Sequence, residues 1–125
     1  MKIFETERLI IETIGNKDQK DFFELLSDPK IIEPIPQPKF SENQMLEKFS
    51  ESLNLKSVLE IERCACGIFE KENPEMIGLA LFLTNDENEK ELGYRFKVKY
   101  WNKGYGTETT KGMINTSPTN LPIIL

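Results

Sequence analysis

Apolar and polar positions alternate along residues 7–14 (ERLIIETI), with Leu9, Ile11 and Thr13 on one side and Ile10, Glu12 and Ile14 on the other. A period of two predicts a strand, ended by the turn at Gly15-Asn16. The period then lengthens. Asn16 and Gln19 fit a capping box that opens a helix with Phe22, Phe23, Leu25 and Leu26 on one stripe. Its end falls at Ser27-Asp28-Pro29, because the residue before a proline disfavours helical geometry. Pro34, Pro36 and Pro38 keep residues 33–39 extended, as a stiff connector or as a recognition motif for a partner domain. Ser41 and Gln44 form a second capping box, and Phe40 and Met45 take the two positions of a hydrophobic staple. The helix that follows presents Met45, Leu46, Phe49 and Leu53 at core spacing.

Beyond Ser57 the period returns to two. Residues 62–70 predict a strand with Cys64, Cys66 and Ile68 on one face, closed by a turn at 71–75. Residues 76–84 (MIGLALFLT) are apolar on both sides, as a central strand covered on both faces should be. After a polar loop at 85–89, residues 90–98 alternate again. Leu92, Tyr94, Phe96 and Val98 share one face, and Glu91, Gly93, Arg95 and Lys97 share the other. Three strands joined by short polar turns predict an antiparallel meander. The expected fold class is α+β and sandwich-like: a mixed, mostly antiparallel sheet with flanking helices.

Composition narrows the chemistry. A chain of 125 residues suits one domain and buries roughly two-thirds of its unfolded surface. No internal repeat or linker divides it, so residues 1–125 read as a single domain. With 16 Lys and Arg against 21 Asp and Glu, it is not expected to bind nucleic acid. The local group Arg95, Lys97, Lys99 and Lys103 stands out in an acidic chain and suggests a small anionic ligand. There is no histidine, which removes His-based triads and His-containing zinc sites. Cys64 and Cys66 match neither zinc nor thioredoxin spacing, and read as buried or half-buried core residues of a reduced protein, with a redox role the other reading. No metal site is expected. The N-terminus lacks the apolar run of a signal peptide and no stretch is long enough to span a bilayer, so no membrane partner and a cytoplasmic location are expected.

The segment with candidate chemistry is Tyr100-Trp101-Asn102-Lys103-Gly104-Tyr105-Gly106-Thr107-Glu108. Two glycines between a strand and a helix let the backbone turn sharply and bring peptide N–H groups close to a ligand. A helix start favours an anion such as a pyrophosphate. A Gly-x-Gly pair alone also fits an ordinary tight turn. It is neither a P-loop nor a three-glycine dinucleotide fingerprint.

Glu91-Leu92-Gly93-Tyr94-Arg95-Phe96, followed by that segment, resembles the acetyl-CoA motif of GNAT acetyltransferases. More narrowly, it resembles the branch containing the N-terminal acetyltransferases of ribosomal proteins. Glu5-Thr6-Glu7-Arg8-Leu9-Ile10, Leu25-Leu26-Ser27-Asp28-Pro29 and Met76-Ile77-Gly78 resemble that branch in the same order. The resemblance implies acetyl transfer from acetyl-CoA to a primary amine, either a protein N-terminus or a small molecule. It implies that the backbone N–H groups of Asn102, Lys103, Gly104, Tyr105 and Gly106 hold the coenzyme's pyrophosphate. Phe96, Lys97 and Val98 would pair with the pantetheine arm through their backbone. Glu91 takes the position of the acidic residue often assigned as base; it also reads as a solvated strand-end carboxylate. Tyr94 and Arg95 would line the substrate or coenzyme cleft, with core packing the other reading of Tyr94.

Two departures from the family pattern stand out. Thr109, Thr110 and Gly112 lower helix propensity where the branch carries Ala and Leu. Beyond Asn115, residues 116–125 form an atypical Pro-containing tail, so the chain reads as the N-terminal two-thirds of an acetyltransferase lacking the C-terminal strands. A truncated gene or a deliberate short form both fit, as does a non-catalytic remnant that binds the coenzyme weakly or not at all, or a dimerising module. The strand at 90–98 would then be an open edge, to be covered by Leu121–Leu125 or by a second chain in a homodimer, or else to leave the protein marginally stable.

Overall fold

The computed structural model describes residues 2–32, 39–53, 63–84, 90–116 and 123–124. The sheet runs in sequence order: β1 (Lys2–Glu5), β2 (Leu9–Glu12), β3 (Arg63–Glu70), β4 (Gly78–Thr84), β5 (Lys90–Phe96) and β6 (Ile123–Ile124). The first five are antiparallel neighbours, and β6 runs parallel to β5. Helices α1 (Gln19–Ser27), α2 (Pro29–Ile32) and α3 (Glu42–Leu53) lie between β2 and β3 in sequence, and α4 (Tyr105–Thr116) follows β5. The expected GNAT-like arrangement, a mostly antiparallel sheet with flanking helices, is what the chain adopts.

Both faces of the sheet are covered, because alternate side chains build two separate cores. Leu9, Ile11, Cys66, Ile68, Ala80, Leu92 and Phe96 pack with Tyr105 and Met113 of α4. Phe69, Met76 and Leu79 pack with Phe22, Leu25 and Leu26 of α1, Ile31 of α2 and Phe49 of α3. β4 contributes to both, as its two-sided apolar run predicts.

Several local expectations change. Residues 2–5 form an additional strand at the sheet edge. The first helix is preceded by a 3₁₀ turn at Asn16–Asp18, and its cap is displaced: Asp18 accepts a bond from the Gly15 N–H at 2.9 Å. The helix ends at Ser27 as expected, but Pro29 opens the short α2, its fixed φ suiting a first helical position, while Asp28 accepts from the Lys30 N–H at 3.0 Å. The second capping box forms in both directions: Ser41 N–H to Gln44 Oε1 at 2.8 Å, and Gln44 N–H to Ser41 Oγ at 3.2 Å. On α3, Phe49 is buried but Leu46 is 39% exposed, so it lies off the core stripe.

β5 stops at Phe96 rather than 98. Val98 belongs to a 3₁₀ turn at Val98–Tyr100 and packs in the core on the α1–α3 side, opposite to the face its alternation predicts. α4 forms over 12 residues despite its weak propensity. Packing explains this: Thr109 and Met113 are buried, and a side chain at Gly112 would meet the Phe4 ring at 2.4 Å. Glycine there lets the helix lie directly on β1. The tail also differs from its expected unmatched state. Ile123 and Ile124 pair with Leu92 and Gly93, covering the start of the β5 edge. Residues 33–38 of the Pro-rich connector and the 85–89 loop lie outside the described residues.

Candidate active site

β6 pairs with Leu92 and Gly93, and among the described residues no strand is paired with Tyr94–Phe96 on that side of β5. A cleft of about 540 Å³ lies there. One side is made by Tyr94, Phe96, Tyr105 and Gly106, the other by Arg95 with Lys30 and Ile31 of α2, and Tyr100, Trp101, Asn102 and Gly104 complete it.

The turn into α4 has two residues with left-handed backbone, Asn102 (φ 64°) and Gly104 (φ 80°). Asparagine tolerates that region and glycine favours it. The first helical bond runs from the Glu108 N–H to the Gly104 carbonyl at 3.1 Å, so the N–H groups before it head the helix. Gly106 serves a second purpose: a Cβ would lie 2.6 Å from the Tyr94 ring, which packs over the helix start and against Phe96. The two glycines therefore differ, one required by backbone conformation and the other by close approach of a side chain.

The candidate pyrophosphate residues thus lie together at the head of α4, and Asn102, Gly104, Tyr105 and Gly106 line the cleft. The Lys103 side chain is exposed, and its carbonyl accepts from Arg8 Nη1 at 2.9 Å. Of the candidate pantetheine residues, Phe96 alone lies in the strand and lines the cleft. Its carbonyl accepts the Trp101 indole N–H at 2.8 Å. The Lys97 N–H donates to Ile77 at 3.0 Å, and the Lys97 and Val98 carbonyls accept from the N–H groups of Tyr100 and Trp101. A carbonyl oxygen has two lone pairs, so these carbonyls retain acceptor capacity. Tyr94 and Arg95 both line the cleft, and Tyr94 also packs on the α4-side core. Arg95 Nη1 reaches the Leu25 carbonyl at 3.5 Å, and burial lowers its pKa. Glu91 lies in β5 opposite Leu83; its side chain is outside the described residues.

The basic group read from the sequence does not form one anion site. Lys97 is only 6% exposed at its side chain, and Nζ bonds Asp21 at 2.5 Å and Glu75 at 3.0 Å. Lys99 also pairs with Glu75, at 3.0 Å. Carboxylates distant in sequence neutralise both cations, which residue spacing along 95–103 does not reveal. Burial alone would lower the Lys97 pKa, but the bonds from Asp21 and Glu75 raise it overall.

Sequence reasoning also missed the carboxylates that hold the turn. Glu108 accepts from the Thr6 hydroxyl, the Arg8 N–H at 2.9 Å and Arg8 Nε at 2.7 Å. The Arg8 guanidinium lies 4.5 Å from the Tyr105 ring centroid. Glu70 accepts the Tyr105 hydroxyl at 2.5 Å, and mainly this bond pushes the phenol pKa up to about 12. Arg8 and Glu108 both stand in the motif segments quoted above, but their partnership needs the β1–β2 turn to meet α4.

The sequence matches the family of the acetyltransferase (GNAT) domain over residues 8–122. The chain belongs to the GNAT acetyltransferase family. That match carries into the tail, where the sequence offered no recognisable counterpart. A curated relative, the "Uncharacterized N-acetyltransferase p20" of Bacillus licheniformis, is 27% identical over 123 residues, covering 97% of this chain and 68% of that protein. Among solved structures, the GNAT-family acetyltransferase from Bacillus anthracis superposes with a TM-score of 0.71 at 25% identity, over 92% of this chain and 64% of that one. The acetyltransferase from Agrobacterium tumefaciens str. C58 shares the fold with a TM-score of 0.68 at 20% identity, over 86% and 61%. The chain thus spans just under two-thirds of the length of these two structures. GNAT acetyltransferases take their acetyl group from acetyl-CoA, which gives the cleft at the β5 edge a candidate occupant.

Proposed function

We propose that this GNAT domain binds acetyl-CoA in the cleft and transfers the acetyl group to a primary amine. The observation that carries the reading is the cleft along Tyr94–Phe96 of β5, directly beside the glycine turn that heads α4. An extended pantetheine arm suits an open strand edge, and a pyrophosphate suits oriented N–H groups at a helix start. Tyr94 and Phe96 give the arm an apolar wall. Arg95, Lys30 and Ile31 face the acceptor from the α1–α2 side.

In this reading the neutral amine attacks the thioester carbonyl, a backbone N–H steadies the oxyanion, and the thiolate leaves. Glu91 takes the proton from the amine, directly or through water. The resemblance to the ribosomal-protein branch favours a protein N-terminus as acceptor, with small amines as the other class. We place the reaction in the cytoplasm, where Cys64 and Cys66 stay reduced.

A thiol-release assay over small amines and short peptides tests this. At least one acceptor should release CoA above the background rate. Glu91→Gln should lower kcat by about 10²-fold, the scale of general-base catalysis, with acetyl-CoA affinity within about twofold. No release with any acceptor sinks the transferase reading. A wild-type rate in Glu91→Gln makes Glu91 a solvated strand-end carboxylate.

A further inference from the structure

The turn between β3 and β4, residues 70–75, lies outside the cleft lining, yet two of its carboxylates hold the segment that shapes the cleft. Glu75 accepts from Lys97 Nζ at 3.0 Å, Lys99 Nζ at 3.0 Å and the Tyr100 hydroxyl at 3.1 Å. Glu70 accepts the Tyr105 hydroxyl. Asn73 joins the two: its Nδ2 donates to Glu70 at 3.1 Å, and its Oδ1 accepts from the Glu75 N–H at 3.0 Å. Both tyrosines line the cleft, one on each side of the Trp101–Gly104 turn.

A three-residue 3₁₀ turn such as Val98–Tyr100 is held poorly by its own short-range bonds. Three donors within four consecutive residues converge on Glu75, so its charge fixes the direction in which the chain leaves β5. That direction sets Trp101, whose indole bonds the Phe96 carbonyl at the cleft edge, and the helix start beyond it. Charge-assisted bonds to a partly buried carboxylate are among the stronger single contacts available for this.

We infer that Glu75, joined to Glu70 through Asn73, is a positioning residue that presets the coenzyme turn for binding. The inference rests on the acetyl-CoA reading above for its ligand, but its effect on the turn can be measured without one.

Trp101 is the only tryptophan in the chain and is 43% exposed, so its emission and its quenching by acrylamide report on the turn. In the full chain, Glu75→Gln should raise the acetyl-CoA Kd about tenfold, as expected for loss of charge-assisted bonds, and raise Trp101 quenching. Cooperative unfolding should persist. Glu72→Gln, an exposed neighbour in the same turn, should leave both readouts within about twofold of wild type. Tyr100→Phe removes a single donor, should weaken binding about threefold, and decides the matter if Glu75→Gln does not fold. Wild-type Kd and quenching in Glu75→Gln, or in Tyr100→Phe where that variant decides, overturn the inference. Should the wild-type chain not bind acetyl-CoA, the functional reading fails on its own, and Trp101 quenching still decides whether Glu75 positions the turn.

Discussion

At the upstream end of residues 97–108, Lys97 is held among Asp21, Glu24 and Glu75, nearly sealed from water. At the downstream end, Glu108 gathers a hydroxyl, a backbone N–H and the Arg8 guanidinium, and Arg8 remains 45% exposed at its side chain. Both ends tie a carboxylate to a cation distant in sequence, but solvent separates them. A buried charge that loses its partners cannot be rescued by water, whereas an exposed one can. The upstream anchor is thus a condition of the local fold, and the downstream one an adjustable tether on the helix start.

The sharpest way to break this comparison is Lys97→Met. It removes the buried cation shared by Asp21 and Glu75, leaving Glu75 with the exposed Lys99 alone, and should cost about 2–4 kcal/mol in urea unfolding. The figure sits toward the low end for buried pairs because those two side chains are 23% and 27% exposed. A loss under about 1 kcal/mol would make the two anchors equivalent.

Acid should act on both ends. Burial works to raise the pKa of Glu75 and of Glu108, but their bonds hold both below the ordinary 4.5. For Glu75 these come from Lys97, Lys99 and Tyr100, and for Glu108 from Thr6 and Arg8. A depressed folded pKa gives stability that is complete above 4.5 and fades as pH falls through the folded value. Denaturant midpoints should therefore decline below about pH 4.5, and Glu108→Gln should flatten part of that slope. The raised pKa of Lys97 acts at the other limit. Its contribution is complete below 10.5 and is lost as pH rises through the folded value. A Glu108→Gln slope identical to wild type would remove Glu108 from the account.

Arg8→Gln should have a smaller effect, and one that salt reveals. Its difference from wild type in unfolding midpoint should shrink between 0.05 and about 1 M salt, where exposed charges are screened. For Lys97→Met the difference should persist. Smallest of all is Lys99→Gln, since Lys99 is an exposed second partner of Glu75, and its midpoint should match wild type.

The features legible in the sequence are those set by neighbours along the chain. Ser41 with Gln44 announces α3 because a capping box is complete within four residues. The strand alternation at 90–96 and the left-handed demand met by Gly104 are local in the same sense. What escaped depends on distant partners. Lys97 reads as a strand lysine until Asp21 and Glu75 arrive from α1 and the β3–β4 turn. Leu46 matches a helical core spacing but faces away from the sheet. Residues 2–5 are too short to show a period, and become a strand by pairing with β2. The weak α4 holds because Gly112 fits against Phe4, a contact that propensity cannot register. For the site, the motif marked the turn, the strand and Glu108, while Glu70 and Glu75, which bond the turn's tyrosines, came from a segment with no motif of its own.

The central claim is that the cleft along Tyr94–Phe96 of β5 and the turn at Asn102–Gly106 form an acetyl-CoA site. Calorimetric titration of the chain with acetyl-CoA tests it most directly. The account predicts saturable one-to-one binding that Lys97→Met and Glu75→Gln weaken. An absence of binding at millimolar coenzyme, in a chain shown to be folded, would contradict it.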